Sequence, residues 1–550
     1  MCSLNCAIEN LNMKKSTRII LAVTSGIILS AGFYEWGSGI LLLIGLVPLL
    51  VLEDELTEGG RLRKNLRVFL FASLSLLVLN ILTTWWIKNA SLAGLLAAVL
   101  VSTFFISFPL MIYSIAKRLL GRNKGYAVFI FSWLAFEYAY THGEISWPWL
   151  TLGNGFLFSI RLVQWYEYTG VFGGSFWVLL TNVLIYEYIR RILAGKKIRN
   201  EWRLGSIILV IIIGPIIVSL FRFYSYEEKS DPREVVVVQP NIDPYLKFND
   251  LPSIEQARVQ VDLAEQYCTP QTDYIVCPET SIMNNIWIGK FDYVPELRMI
   301  KAFVLRHPGT KYITGIMCRE QYTKASKTMT ASEIGNSGIF YDTFNSAVQY
   351  DTASNVQIYH KSKLVIGVEK MPYPQYLKLL EKLTVRLGGT FRSEATQEER
   401  EVFTSVEDGI NIAPVICYES VYGEFVTDYI KKGANYIFVI TNDGWWGNTP
   451  GHRQHNALSS LRAIETRRSV ARSANTGISG FINQRGEVLM SLPYWQRGAL
   501  NGKINANNSL TFYVKYGDYI GRIAFYSTVI FLIGLIILSI IKWIRKSKEH

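Results

Sequence analysis

The chain has 550 residues, of which half are hydrophobic and 18% are charged, and its formal net charge is +12. This mixture argues against a purely water-soluble protein and against one buried wholly in the bilayer, and the length allows more than one domain. The apolar runs and the charged stretches lie in different parts of the chain. The composition therefore predicts a membrane part joined to a soluble part.

Eight apolar stretches have about the 17–25 residues that a helix needs to cross a bilayer. Seven precede the soluble part and one follows it, so we predict seven transmembrane helices over 18–222 and an eighth over 524–542. The second stretch is short, and the fifth contains Glu137. The stretches are 18–35, 38–54, 68–87, 92–116, 125–141, 168–189, 204–222 and 524–542.

We expect no secretory signal peptide, because further apolar stretches follow the first one where a cleavage site and a soluble chain would be needed. Met13 opens the segment MKKSTRIILAV, which is a more natural start for a membrane protein than Met1. We predict no structure for the residues before Met13.

Lys and Arg residues are concentrated in alternate loops, and the short loops between them carry Lys88 and Arg161. Basic residues favour the cytoplasmic side of a membrane. Residues 1–17 and 543–550 are therefore predicted to be cytoplasmic, and the soluble part, 231–512, is predicted to be periplasmic. The positive charge is mostly a topology signal, and the sequence contains no nucleic-acid-binding motif.

Four of the six cysteines lie in the predicted soluble part. An oxidising compartment would permit a disulfide among Cys268, Cys277 and Cys318. The chain has no CxxC motif and no paired histidine site, so neither a metal nor a cofactor is expected.

From Arg233 onward, strand-like and helix-like segments alternate, which is typical of a layered α/β domain. The β-branched run in REVVVVQPNI predicts a central strand, residues 253–267 predict a helix, and NSAVQYD with NVQIYHKSKL predicts a hairpin.

Three chemically active side chains each follow a predicted strand: Glu279, Lys361 and Cys417. A thiol nucleophile needs a base, such as Glu279. A tetrahedral intermediate needs positive charge or N–H donors, such as Lys361 and the Tyr418 backbone. Cys417 lies where a strand gives way to a helix, and the N–H groups there favour the thiolate. Read without further context, each of the three could also be a surface charge or a satisfied buried group.

Several motifs together resemble the Glu–Lys–Cys signature of the nitrilase, or carbon–nitrogen hydrolase, superfamily. They are CPETSI, YHKSKLVIGVEKMPY, ICYESVYGE, TNDGWWG and RSANTGISG. The seven spans before them and the one after narrow the resemblance to the apolipoprotein N-acyltransferase family, over essentially the whole chain. The resemblance implies an α-helical transmembrane bundle plus an exported α/β nitrilase-like domain, an αββα sandwich over 231–512.

By this resemblance, Cys417 is the nucleophile, Glu279 is the general base and Lys361 stabilises the oxyanion. Glu369 matches a further acid that could orient Lys361 or the base. The family usually has Phe-Gly-Glu at this point, whereas this chain has GVE.

Other positions carry supporting roles in the resemblance. Tyr418 and Glu419 match residues beside the nucleophile, although Glu419 could instead be a buried carboxylate that supports the turn. Phe248 stands where the family commonly has tryptophan, so an apolar or aromatic wall is expected there. Trp445 could line an acyl pocket or fill the core. Residues 371–395 predict either an amphipathic surface helix or a lid that touches the outer leaflet.

The function implied is transfer of a fatty acyl chain from a phospholipid, through a thioester on Cys417, to the α-amine of an S-diacylglyceryl-cysteine. The expected partners are a phospholipid donor, a diacylglyceryl apolipoprotein acceptor and the lipid bilayer of the bacterial inner membrane. Two alternatives remain. One is a membrane-anchored amidase or nitrilase-type C–N hydrolase that uses water as its second nucleophile, and the other is an inactive scaffold.

Overall fold

The computed structural model describes residues 13–57, 64–249, 251–352, 356–371, 373 and 393–548. Its internal contacts divide the chain into two compact units. The first unit comprises Met1–Trp85, Leu95–Tyr224 and Asp518–His550, and the second comprises Trp86–Gly94 and Ser225–Gly517.

Helices dominate the chain outside residues 225–517. They are Lys15–Ala31, Leu42–Gly45, Val47–Thr57, Lys64–Thr84, Leu92–Ile106, Phe108–Leu120, Arg122–His142, Tyr166–Leu193, Trp202–Ser225 and Tyr519–Lys548. Within the described residues, five helical stretches are long and apolar enough to cross a membrane. These are Lys64–Asn89, Leu92–Leu120, Tyr166–Leu193, Ile198–Ser225 and Tyr519–Arg545.

Five of the predicted stretches, including 524–542, fall within these five helices. The stretch 18–35 is represented by a helix of 17 residues, Lys15–Ala31. The stretch 38–54 is interrupted at Leu46, between two helices. The total of eight transmembrane helices remains a prediction, because five helical stretches among the described residues are long and apolar enough to cross a membrane.

Buried charges explain why the helix Val47–Thr57 differs from an ordinary apolar span. Lys117 Nζ lies 2.7 Å from Asp54 and also pairs with Glu53. Arg18 lies 2.7 Å from Glu55. Buried charges are tolerated when they are paired in this way, so these residues join separate helices within the first unit.

The second unit contains two β-sheets. Its strands are β1 Pro232–Gln239, β2 Thr272–Val276, β3 Ile282–Trp287, β4 Lys311–Thr323, β5 Ser332–Glu333, β6 Ile339–Tyr350, β7 Gln357–His360, β8 Phe403–Thr404, β9 Asn411–Ile416, β10 Tyr436–Thr441, β11 Val470–Ala474, β12 Ser479–Ile482, β13 Val488–Leu492 and β14 Gly498–Asn505. One sheet has the order β14-β1-β2-β4-β6-β5, with β3 beside β4 and β7 beside β6. The other has the order β13-β12-β11-β10-β9-β8.

Helices accompany these sheets and complete the layered α/β architecture that the sequence predicts. They are Pro244–Asn249, Ser253–Tyr267, Pro295–Arg306, Gly423–Lys431, Pro450–Thr466 and Phe512–Tyr516. Val261 and Phe303 from two of these helices share one apolar core with Val236 and Ile316 of the first sheet. The sheets also contact each other, since Ser473 Oγ of β11 donates to the Val238 carbonyl of β1 at 2.7 Å.

A short segment from far upstream belongs to the second unit. The Trp86 ring is 1% exposed and lies 4.8 Å from the Trp446 ring, centroid to centroid. Asn89 Nδ2 donates to the Trp446 carbonyl at 2.8 Å. Gly451 lies against the Trp86 ring, and a Cβ at this position would approach it to 2.5 Å. The segment Trp86–Gly94 is therefore packed against the second unit through Trp86 and Asn89.

The direction of neighbouring strands determines at which edge of a sheet the polar residues that follow them lie. β1, β2 and β4 run parallel to one another, as do β9, β10 and β11. The carboxyl ends of neighbouring parallel strands meet at one edge of a sheet, which is where ligands of open α/β sheets usually bind. The predicted β6–β7 hairpin is confirmed by the pairing of Ser346 with His360.

Candidate active site

The structure brings the three predicted strand-end residues together. Glu279 follows β2, Lys361 follows β7 and Cys417 follows β9. Lys361 Nζ lies 2.8 Å from Glu279 Oε1, and the Cys417 thiol interacts electrostatically with both side chains. All three are buried, at 5%, 0% and 8% exposure for Glu279, Lys361 and Cys417. A thiol, a carboxylate and a cation therefore share one enclosed site.

Lys361 is held between two carboxylates. Its Nζ donates to Glu279 Oε1 at 2.8 Å and to Glu369 Oε1 at 2.7 Å, and its backbone N–H donates to the Asn345 carbonyl at 2.8 Å. Burial by itself would lower the pKa of Lys361, but Glu279 and Glu369 outweigh it and raise that pKa well above its ordinary value. The side chain is therefore a fixed cation that can stabilise negative charge nearby.

Cys417 occupies a strained turn. Its φ is +49°, in the left-handed region, which costs a residue other than glycine about 1–2 kcal/mol. β9 ends at Ile416, and a five-residue 3₁₀ helix, Cys417–Val421, begins directly after it. Strain of this kind clusters at functional sites, where the surrounding structure holds it in place.

The expectation that this position favours the thiolate is wrong for the resting site. Burial, followed by the charge of Glu279, raises the pKa of Cys417 well above its ordinary value, and Lys361 offsets only part of that increase. The N–H groups of one short 3₁₀ turn are too weak to reverse the effect of burial beside a carboxylate. The raised pKa favours the neutral thiol form of Cys417.

Glu279 is positioned through its backbone as well as its carboxylate. Asn345 Nδ2 donates to Glu279 Oε1 at 2.8 Å. The next residue, Thr280, has a φ of +49°. A Cβ on Gly315 would lie 2.5 Å from the Thr280 nitrogen and 2.6 Å from the Glu279 Cα. Only glycine allows β4 to approach this turn so closely.

Lys247 is a site residue that the sequence reasoning missed. Its Nζ donates to the Glu279 carbonyl at 3.0 Å and to Thr280 Oγ1 at 2.9 Å, and the residue is 3% exposed. Burial lowers the pKa of Lys247 to about 7, although Glu279 acts in the opposite direction. The sequence feature that could have indicated Lys247 is its position in the segment YLKF, directly before Phe248.

Two further acids lie near Lys361. Glu369 Oε2 accepts the Val365 N–H at 2.8 Å, which fixes the carboxylate against Lys361. The backbone N–H of Glu394 donates to the Glu369 carbonyl at 3.1 Å. Burial and the charge of Glu369 raise the pKa of Glu394 to about 8. Glu394 lies within the segment 371–395, where the sequence had suggested only a helix or a lid.

Glu419 is a buried carboxylate surrounded by donors. Its Oε1 accepts the Tyr359 hydroxyl and the Ser362 N–H, each at 2.7 Å. Its Oε2 accepts the Ile416 N–H at 2.8 Å and the Tyr429 hydroxyl at 3.4 Å. Since Ile416 precedes Cys417 and Ser362 follows Lys361, one carboxylate ties the two chain segments together. This arrangement matches the supporting role weighed for Glu419.

The other predicted site residues have the following surroundings. Tyr418 is 4% exposed, and its ring meets the Tyr422 ring edge to face at 5.2 Å. Trp445 is half-buried and packs edge to face against Tyr245, with the ring centroids 5.5 Å apart. Phe248 lies in the helix Pro244–Asn249, and its side chain is outside the described residues, as are residues 372 and 374–392 of the predicted lid.

The cysteines proposed for a disulfide are free thiols. Cys268, Cys277, Cys318 and Cys417 are all unpaired as disulfides. Cys277 Sγ donates to the Tyr312 hydroxyl at 3.1 Å, and Cys318 Sγ lies 3.1 Å from Ser346 Oγ. Burial raises the pKa of both Cys277 and Cys318 to about 12, so these two thiols stay protonated.

Comparison with known proteins gives matches over both units. A family model described as the apolipoprotein N-acyltransferase N-terminal domain matches residues 25–184, and one described as carbon-nitrogen hydrolase matches residues 235–509. An apolipoprotein N-acyltransferase of Chlorobaculum tepidum is 30% identical, over 92% of this chain and 94% of its own. One of Geobacter metallireducens is 26% identical over 91% of each chain. Among solved structures, Nit3 of Saccharomyces cerevisiae, a nitrilase-superfamily member, gives a TM-score of 0.36 at 13% identity and covers 51% of this chain and 92% of its own.

Proposed function

The chain belongs to the apolipoprotein N-acyltransferase family and acts in lipoprotein N-acylation, and we propose that it does so by a ping-pong reaction through a thioester on Cys417. The membership confirms the family resemblance and the nitrilase-like identity of the soluble domain. Glu279, Lys361 and Cys417 are the proposed catalytic triad.

One observation carries this proposal. Lys361 Nζ lies 2.8 Å from Glu279 and 2.7 Å from Glu369, in a buried site beside a cysteine that is held at a φ of +49°. A lysine with two carboxylate neighbours remains charged, so it serves as an electrostatic stabiliser and leaves Glu279 to act as the base. Because the resting Cys417 is a thiol, the base and the cation are both required.

In the first step, Glu279 takes the proton from Cys417 Sγ as the sulfur attacks the ester carbonyl carbon of a phospholipid. Lys361 Nζ and the Tyr418 N–H donate to the oxygen that becomes negative. The ester C–O bond then breaks, the departing alkoxide takes the proton from Glu279, and a lysophospholipid leaves. The acyl chain remains on Cys417 as a thioester.

In the second step, the α-amine of an S-diacylglyceryl-cysteine attacks the thioester carbonyl. Glu279 accepts a proton from the attacking nitrogen, and the C–S bond breaks with return of that proton to Cys417 Sγ. An amide forms at the lipoprotein N-terminus, and the thiol is restored. Phe248, Tyr418 and Trp445 are proposed to contact the lipid chains, and Glu369 and Glu419 to support the triad.

The chain is an inner-membrane protein, and the placement of its parts is part of the proposal. The loop charges support cytoplasmic segments at 1–17 and 543–550, membrane helices within 18–222 and 524–542, and a periplasmic catalytic domain at 231–512. Phospholipid and lipoprotein are both anchored in the bilayer, so both would reach the site by lateral diffusion.

The test is intact-mass spectrometry of the purified full chain after incubation with phospholipid vesicles. We expect wild type to gain one fatty-acyl mass that hydroxylamine removes, and Cys417→Ala to gain none. Cys268→Ala is the matched control, because Cys268 is another free thiol of the same unit, and it should acylate as wild type does.

A diacylglyceryl-cysteine peptide added to the acyl-enzyme then identifies the second nucleophile. Acylated peptide supports the transferase reaction, whereas release of free fatty acid alone would favour the amidase alternative. An unchanged mass in folded wild type, or full activity in Cys417→Ala, would refute the thioester mechanism.

A further inference from the structure

The strained backbone at Cys417 requires support from outside its own turn. The Cys417 carbonyl accepts the Ser420 hydroxyl at 2.8 Å and lies 3.2 Å from Nε2 of His455. Nε2 also lies 3.0 Å from Ser420 Oγ, whose hydrogen is directed at the Cys417 carbonyl. Since a carbonyl oxygen can only accept, the imidazole nitrogen that faces these two oxygens is the donor. His455 comes from the helix Pro450–Thr466, which lies downstream of the nucleophile.

The His455 ring is fixed from its other side. Its Nδ1 lies 2.9 Å from Asp443 Oδ1, and Arg472 Nη2 lies 2.6 Å from Asp443 Oδ2. The Thr441 hydroxyl also donates to Asp443 Oδ1 at 2.8 Å. His455 and Asp443 are 0% exposed, as is Arg472. The imidazole therefore sits at the end of a buried, charged network that can hold it in a single orientation.

We propose that His455 is a positioning residue for the nucleophile: its Nε2–H holds the Cys417 carbonyl and thereby the left-handed turn that presents the thiol. Asp443 and Arg472 hold the imidazole in place, in the way that a carboxylate orients a ring through its other nitrogen. His455 contacts the backbone of Cys417, so it acts on the geometry of Sγ and not on the substrate. This inference rests on the proposed role of Cys417 as nucleophile.

Two variants test whether a side chain at position 455 must reach the Cys417 carbonyl or need only be polar. The side chain introduced by His455→Gln can place an amide N–H near the position of Nε2. The side chain introduced by His455→Asn is too short to reach the Cys417 carbonyl but still reaches Asp443. We expect His455→Asn to lower kcat for acyl transfer about 10- to 100-fold, the effect of a small misplacement of a reacting atom. KM should not change, and His455→Gln should stay close to wild type.

A second readout does not depend on any acyl donor. The rate of Cys417 alkylation by iodoacetamide, measured on the full chain by peptide mass spectrometry, should fall in His455→Asn and recover in His455→Gln. Cys268 of the same molecule is the internal reference. Failure of wild type to form a thioester would count against the proposed function, while this comparison would still test the role of His455.

His452→Asn is the matched control. His452 lies on the same helix, is 1% exposed, and stacks on Tyr494 with the ring centroids 4.1 Å apart. It should reduce thermal stability and leave both the alkylation rate and kcat near wild type. Equal rates in His455→Asn and His455→Gln would overturn the proposal.

If the His455 variants fold poorly, the alkylation rate of Cys417 in Ser420→Ala provides another test of the proposal. It removes the other donor to the Cys417 carbonyl and the oxygen that lies 3.0 Å from His455 Nε2, while the contact of His455 Nδ1 with Asp443 remains. We expect most of the alkylation rate to persist. A loss in Ser420→Ala as large as the one expected for His455→Asn would overturn the proposal, because the hydroxyl would then be the support.

Discussion

Replacing Glu419 by glutamine should destabilise the catalytic domain and slow the chemistry together. Oε1 of Glu419 faces the Ser362 N–H at 2.7 Å, and Oε2 faces the Ile416 N–H at 2.8 Å. Both partners can only donate. A glutamine NH₂ group must replace one of the two oxygens, so either amide orientation directs a donor at a buried backbone donor.

The loss of stability can be estimated because each carboxylate oxygen of Glu419 accepts one backbone N–H. One buried backbone N–H loses its acceptor, and the tyrosine hydroxyls can rotate to accept from the new NH₂ group. A lost hydrogen bond to a charged acceptor together with an unsatisfied donor gives about 2–4 kcal/mol in the free energy of unfolding. Since the two N–H groups flank Cys417 and Lys361, kcat should fall as well.

The assay pairs thermal unfolding of the detergent-purified chain with the rate of thioester formation. Glu234→Gln is the control, because Glu234 is also buried but accepts from the rotatable hydroxyls of Thr269 and Thr272 and from the Asn501 amide. We expect it to unfold close to wild type. If Glu419→Gln unfolded at the control temperature with an unchanged rate, the argument that this carboxylate ties the two segments together would be refuted.

Two further predictions concern protonation. Burial and the charge of Glu279 raise the pKa of Cys417, so Glu279→Gln should speed the alkylation of Cys417 by iodoacetamide at mildly alkaline pH. Acyl transfer should fall about 10²- to 10⁴-fold in the same variant, because the base is lost. Slower alkylation of Cys417 would contradict this prediction. Burial lowers the pKa of Lys247 from 10.5 to about 7, so between these values the unfolded chain binds more protons and stability rises with pH. The melting temperature of wild type minus that of Lys247→Met should therefore increase across this range, and a flat difference would argue against a buried, depressed lysine.

The parts of the site that could be predicted are those that local sequence determines. An apolar run such as YIV before Glu279 or APVI before Cys417 indicates a buried strand, and a polar residue within a few positions of its end is expected near a sheet edge. Glu279, Lys361 and Cys417 each follow a strand. The three strands belong to two different sheets and β7 is antiparallel to β6, so parallel pairing within one sheet does not explain why the three residues meet. The family motifs then supplied their roles.

Residues that act across long sequence distances could not be found in this way. Lys247 and His455 lie within helices, and each contacts the backbone carbonyl of a residue that is distant in the sequence. No periodicity marks such a contact. The direction of the shift in the pKa of Cys417 also could not be predicted from the sequence, because it depends on how deeply the site is buried and on the charge of Glu279.

The packing of Trp86 and Asn89 against Trp446 has a consequence for biosynthesis. The hydrogen bond from Asn89 to Trp446 joins residues 357 positions apart. The upstream segment is therefore translated long before its partner exists, and this contact closes late, as contacts of high sequence separation do. A recombinant fragment that begins at the first strand would lack Trp86 and leave the Trp446 and Gly451 surface uncovered. Such a fragment should aggregate, and supplying the upstream peptide in trans is the simplest way to restore it.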